Sequence, residues 1–205
     1  DSLDRDSDGL ADMGKDLQDR ARAAMFSLGA TYPELSGYYP QPKGLLFPAF
    51  LSVQNLSGIY SPFTIEANYN SAMVSYNLPF TICHELSHLR GFMQEEEANF
   101  IGFLACVNAD DTAFNYSGYL LGWIYATNEL YEADYDTFVE IYNRLSDNVK
   151  ADLSANSSFW KRYDSKVAEV SGQINDHYLK ANGQSDGIKS YDRMVDLMIT
   201  WFRSK

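Results

Sequence analysis

Residues 84–88 read His-Glu-Leu-Ser-His, and this run allows its segment one conformation if the histidines are to act together. Two residues four apart on an α-helix are separated by about 400° of rotation, so their side chains lie about 40° apart on one face. As a helix the segment brings both imidazoles to one point, where they can share a metal ion. Glu85 sits about 100° round from His84, close enough to reach a water on that ion without being a ligand. A zinc ion held there would lower the pKa of its water to about 7, and the carboxylate would take the proton as the oxygen attacks a carbonyl. Such a triplet arises by chance in roughly one chain in a hundred of this length at ordinary composition. The whole chain has 3 histidines, and two of them are in the motif. Apolar residues precede it (Phe80, Ile82, Cys83), and Gly91 is placed to end the helix.

A catalytic zinc site needs a third protein ligand and an open position. In the pattern HExxHxxGxxH that ligand would stand at position 94, where this chain has Gln94, a poor zinc ligand. Directly after it come Glu95, Glu96, Glu97, Ala98 and Asn99. This run resembles the ExxA[DN] signature on the second helix of gluzincin peptidases. On that alignment Glu95 is the third ligand and Asn99 supports a ligand histidine. Glu97 is the alternative third ligand, being equally close in sequence. Whichever carboxylates are not used, Glu96 first among them, read as solvated charges favoured at a helix N-terminus.

The resemblance reaches beyond the motif. The chain is similar to a bacterial family catalogued as domain of unknown function three-eight-one-zero, membrane-anchored proteins read as zinc peptidases. The matching segments are GIYSPFTIEANYN (58–70), LPFTICHELSHLRGFMQEEEANFIGFLAC (78–106), FNYSGYL (114–120) and INDHYLKANGQSDGIKSYDRMVDLM (174–198). The resemblance implies a zincin-like metallopeptidase domain acting on peptide or protein substrates. It also implies membrane helices ahead of the soluble part, and a place on the extracytoplasmic side of a bacterial cell membrane. The abrupt charged start, DSLDRDSDGLADMGKDL, fits an excised part of such a protein, although composition alone fits a cytosolic one as well.

Length and patterning predict a single domain over 1–205, α+β and predominantly helical. Residues 1–30 hold an amphipathic N-terminal helix from about Leu10 to Leu28. Residues 44–76, with short apolar and β-branched runs (LLFPAFLSV, GIYSPFTIEANY, AMVSY), read as a small sheet. Residues 77–205 are the helical part with the metal site, with helices near 80–91, 95–107, 116–130, 135–145, 148–153, 159–178 and 190–202. Ser61–Asn70 reads either as the edge strand to which an extended peptide would add or as an ordinary buried strand with a turn. An oxyanion donor is expected as well. Tyr191 and Arg193 are the first choices for this catalytic role, followed by His177 and Tyr116. Trp123, Trp160 and Trp201 fall in helical apolar patterns and read as core packing.

The net charge of −12, with 16 Lys and Arg and no basic stripe, disfavours a nucleic-acid partner. Cys83 and Cys106 lack the spacing of a thiolate zinc site and read as buried thiols, able to pair if their helices pack together. The rival to the enzyme is a non-catalytic zinc-containing binding or sensing domain. Glu85 argues against it, since a purely structural site has no need of that carboxylate. A zinc hydrolase acting on a bond other than a peptide is a third possibility.

Overall fold

Helix α3 (Asn77–His88), which carries both motif histidines, is packed on several sides and forms the centre of the fold. The structure is a computed structural model that describes residues 3–164, 169, 173 and 192–205. Before α3 come α1 (Leu17–Thr31), a 3-10 turn (Pro33–Leu35), β1 (Lys43–Gly44), α2 (Ala49–Val53), β2 (Gly58–Ser61) and β3 (Glu66–Tyr69). After it come α4 (Glu95–Val107), α5 (Thr112–Ala133), α6 (Tyr135–Asn143), α7 (Asp147–Lys161) and α8 (Asp192–Arg203). The fold is α+β and mostly helical, with one three-stranded sheet among the described residues.

Pro79 is tolerated in α3 because it lies in the first turn, where backbone N–H groups have no helical partner. Gly91, at φ 89°, follows the helix end in the left-handed region that glycine adopts at little cost. Three glutamates open α4, where the helix dipole favours negative charge. Helix α5 is capped by Asp111, whose Oδ1 accepts from the N–H groups of Ala113 and Phe114 at 3.0 and 3.2 Å.

The main core joins one face of α3 (Phe80, Ile82, Cys83, Leu86) to Met25 and Leu28 of α1, Phe103 and Leu104 of α4, Phe114 of α5, and Met194 and Met198 of α8. A second cluster gathers Ala11, Met13, Tyr76, Ala113 and Leu120. Trp123 and Trp201 pack half-buried against these cores, and Trp160 stands edge-on to Phe159 at 4.9 Å. Cys83 on α3 and Cys106 on α4 are free, buried thiols, and burial together with the neighbouring Cys83 pushes the Cys106 thiol up.

Four expectations need correction. The N-terminal helix begins at Leu17, not near Leu10. Gly9, Gly14 and Asp16 take left-handed backbone there, and the Asp12 carboxylate accepts from the Gly14 N–H at 2.8 Å, a local turn that competes with a helix. Within LLFPAFLSV, the residues Ala49–Val53 form a helical turn after Pro48, not a strand. Residues 148–161 belong to the single helix α7, so the break expected at 154–158 does not occur. The later part of the helix expected over 159–178 lies largely outside the described residues. Finally, Ser61–Asn70 is not one edge strand. It ends β2, turns at 62–65 and continues as β3, which sits centrally between parallel β1 and antiparallel β2. Among the described residues, the outer edge of the four-residue strand β2 is unpaired, and β2 packs on α3.

Candidate metal centre

α3 and α4 pack together closely enough that a Cβ on Gly102 would meet the His84 backbone N at 3.3 Å. This approach brings the start of α4 to the end of α3. His84 Nε2 lies 3.2 Å from His88 Nε2 and 3.2 Å from Glu95 Oε2, and His88 Nε2 lies 3.9 Å from Glu95 Oε1. The three residues form a group able to hold a metal ion, with ligand atoms all within 4.8 Å of one another. Ligands about 2.1 Å from a tetrahedral metal stand about 3.4 Å apart, so the separations fit an ion at their centre.

The surroundings orient these groups. His88 Nδ1 lies 2.7 Å from the Phe92 carbonyl, which holds the proton on Nδ1 and leaves Nε2 with its lone pair toward the centre. The Tyr60 ring of β2 packs 5.9 Å from the His88 ring. Asn99, one turn after Glu95, favours the charged form of His84, although His84 Nδ1 and Asn99 Nδ2 make no formed hydrogen bond. Two polar atoms are thus left buried beside the ligands.

The charges are tightly linked. Burial works against a positive His84, yet the Glu95 hydrogen bond and charge, then the Glu85 charge, outweigh it and raise this histidine to about 9. Burial and the positive His84 push His88 down to about 4. Glu95 is lowered: burial opposes its charge, and the hydrogen bond and charge of His84 overcome it. Glu85 is raised to about 8 by burial, against the pull of His84. Its Oε1 lies 3.9 Å from His84 Nε2, and its Oε2 is buried without a hydrogen-bond partner among the described residues.

Of the expected residues, the structure brings together His84, Glu85, His88 and Glu95, with Asn99 beside them. Of the two candidate third ligands, Glu95 belongs to the group able to hold a metal ion, while Glu97 is exposed on another face of α4. Glu96 is not a solvated charge. It is buried, and Arg193 at the start of α8 donates to it at 3.3 Å. Arg193 is therefore engaged by Glu96. Tyr116 is committed elsewhere, its hydroxyl bonded to the buried Asp152 carboxylate with Arg5 over its ring. Tyr191 and His177 lie outside the described residues.

Two residues were not singled out from the sequence. Tyr60 gave no signal among 15 tyrosines. Gly58 did: a glycine inside a strand pattern marks close backbone approach, and here a Cβ would stand 2.7 Å from Glu85 Cδ.

No curated protein and no solved structure matches this chain. A family model described as "Protein of unknown function (DUF3810)" matches residues 1–199, and the chain belongs to that family.

Proposed function

We propose that this chain is a zinc-dependent metallopeptidase of zincin-like, gluzincin-type design. The observation that carries the proposal is the convergence of His84, His88 and Glu95 on one point with the buried Glu85 carboxylate beside it. Two imidazoles and one carboxylate are an accepted ligand set for a catalytic zinc, and they leave one position for water or substrate. Bound there, zinc would acidify water and polarise a carbonyl oxygen.

The protein's own residues have separable tasks. His84, His88 and Glu95 hold the ion, the Phe92 carbonyl orients the His88 ring, and Asn99 lies beside the His84 ring. Glu85 receives a proton on its carboxylate during attack and returns it to the leaving nitrogen. Its buried position beside the three ligand residues supports this role by placing the carboxylate within reach of a water on the ion. Among the described residues β2 leaves its outer edge unpaired beside α3, where an extended peptide can pair its backbone. The family resemblance supports a site on the extracytoplasmic side of a bacterial membrane. Among the described residues, no helix is long and apolar enough to cross one.

The test joins metal content with turnover. The wild type should bind about one zinc per chain. His84→Ala and Glu95→Ala should lose it, while Glu97→Gln should keep it. Glu85→Gln should keep the zinc and lose peptide hydrolysis by roughly a hundredfold or more. A wild type that takes up no zinc on reconstitution, or a Glu85→Gln variant with undiminished turnover, would overturn the proposal.

A further inference from the structure

Between Leu35 and Ile65 the chain has no aspartate or glutamate and a single charge, Lys43, although it carries 28 acidic residues in all. The same stretch holds a concentration of exposed apolar groups. Among the described residues, 8 of the 15 exposed large apolar side chains lie from Tyr38 to Ile65.

Their placement follows from the sheet. Parallel pairing sets Gly44 beside Tyr69, so the turn that carries Leu46 and Phe47 leaves at the Tyr69 end of β3. Antiparallel pairing sets Ser61 beside Glu66, so the turn that carries Phe63 and Ile65 lies at the other end. Gly58 and Tyr60 face α3, and strand alternation turns Ile59, between them, to the opposite face. Exposed apolar groups therefore stand in the turns at both ends of the sheet, and Ile59 lies between those ends on the face turned away from the metal centre. Leu46 is 91% exposed, Phe47 79% and Phe63 97%. Ile65, also exposed, stands at φ 55°, a strained conformation for a β-branched residue. Lys43 pairs with Glu66 beside them, which cancels the one local positive charge.

We propose that this surface, the two turns and Ile59, seats on a lipid bilayer by shallow insertion of its apolar side chains. Two features favour lipid over a protein partner. The most exposed side chains project from turns, whereas a protein interface needs a continuous complementary face; fluid lipid accommodates separate wedges. The missing carboxylates are also the groups that an anionic headgroup layer would repel, and the rest of this acidic chain is rich in them. No described helix spans a membrane, so the contact is interfacial. Attachment by apolar insertion is insensitive to salt and gains nothing from anionic lipid.

The experiment is co-sedimentation of the chain with phosphatidylcholine vesicles, with and without phosphatidylglycerol, at low and high salt. The wild type should bind in all four conditions. A double variant, Phe47→Ser with Phe63→Ser, should keep its circular dichroism spectrum and partition roughly a hundredfold less, about tenfold per ring removed. A Phe63→Trp variant supplies a second reading: its emission should shift to the blue on vesicles and be quenched by brominated lipid. No co-sedimentation, equal partition of the double variant, or binding that needs phosphatidylglycerol and disappears in salt would overturn the proposal. So would a lipid-free dimer that the double variant dissociates, which would assign the surface to a second copy of the chain. Vesicle binding requires no turnover, so this inference and the peptidase reading can fail separately.

Discussion

Gly58 lies where β2 passes over α3, and the space a side chain would occupy is filled by the Glu85 carboxylate. Replacing it with alanine forces either the strand or the carboxylate to move, since a Cβ–Cδ separation of 2.7 Å is well inside van der Waals contact. The proposed ligands lie on α3 and α4, and the three heavy atoms nearest a Cβ at Gly58 belong to Glu85, not to them. Gly58→Ala should therefore bind zinc like the wild type while peptide turnover falls by about a hundredfold, the cost of misplacing a reacting group by about 1 Å. Parallel measurements of metal content and turnover check this. Wild-type turnover would show that Glu85 is free to adjust.

Among the elements, α1 and α5 are joined by a bidentate pair. Arg20 Nε and Nη2 donate to the two carboxylate oxygens of Asp111, each at 2.7 Å, while the same carboxylate caps α5. Asp111→Ala removes a helix cap and an interhelical pair together. We expect a loss of about 2 kcal/mol, the upper end for a cap, read from the urea midpoint. The pair also sets a pH dependence. Burial raises the Asp111 pKa, but Arg20 and the backbone N–H groups overcome this and hold it below its ordinary value. A carboxylate with a lowered folded-state pKa stabilises the fold above its unfolded pKa, and that contribution is lost as pH falls through the folded one. The gap in stability between wild type and Asp111→Ala should therefore be full at neutral pH and close below about pH 4. A gap that persists in acid would mean the loss is packing, not charge.

Across the whole molecule, Asp152 ties the N-terminal segment to the helices. It is fully buried in α7, accepts from Arg5 at 2.7 Å and from the Ala11 N–H at 2.9 Å, and receives the Tyr116 hydroxyl of α5. Removing one partner from a buried ion pair leaves the rest unsatisfied. Asp152→Ala should cost about 3 kcal/mol in urea unfolding, with the second core cluster loosened first. A loss below about 1 kcal/mol, the range of an exposed pair, would show that water readily replaces the carboxylate.

Much of this was legible in the chain because the determining physics is local. Helical spacing alone puts His84 and His88 on one face with Glu85 beside them, and α4 begins at Glu95 where three acids meet a helix dipole. The helix, as an element, carries its own periodicity. What depended on neighbours was not legible. Glu95, Glu96 and Glu97 look alike in sequence, and only the packing of α4 on α3 turns the first to the histidines, the second to Arg193 and the third to solvent. Likewise, Ser61–Asn70 reads as one β segment, yet which strand keeps a free edge depends on Lys43–Gly44 pairing with Asn68–Tyr69 from far along the chain. Tyr116 carries no sequence mark of the buried Asp152 that occupies its hydroxyl. By itself the sequence determined which groups could make the chemistry, since side-chain type and helical pitch travel with the residue. The tertiary structure alone decided which of them meet, because burial, strand order and ion pairing belong to residues that are distant in the chain.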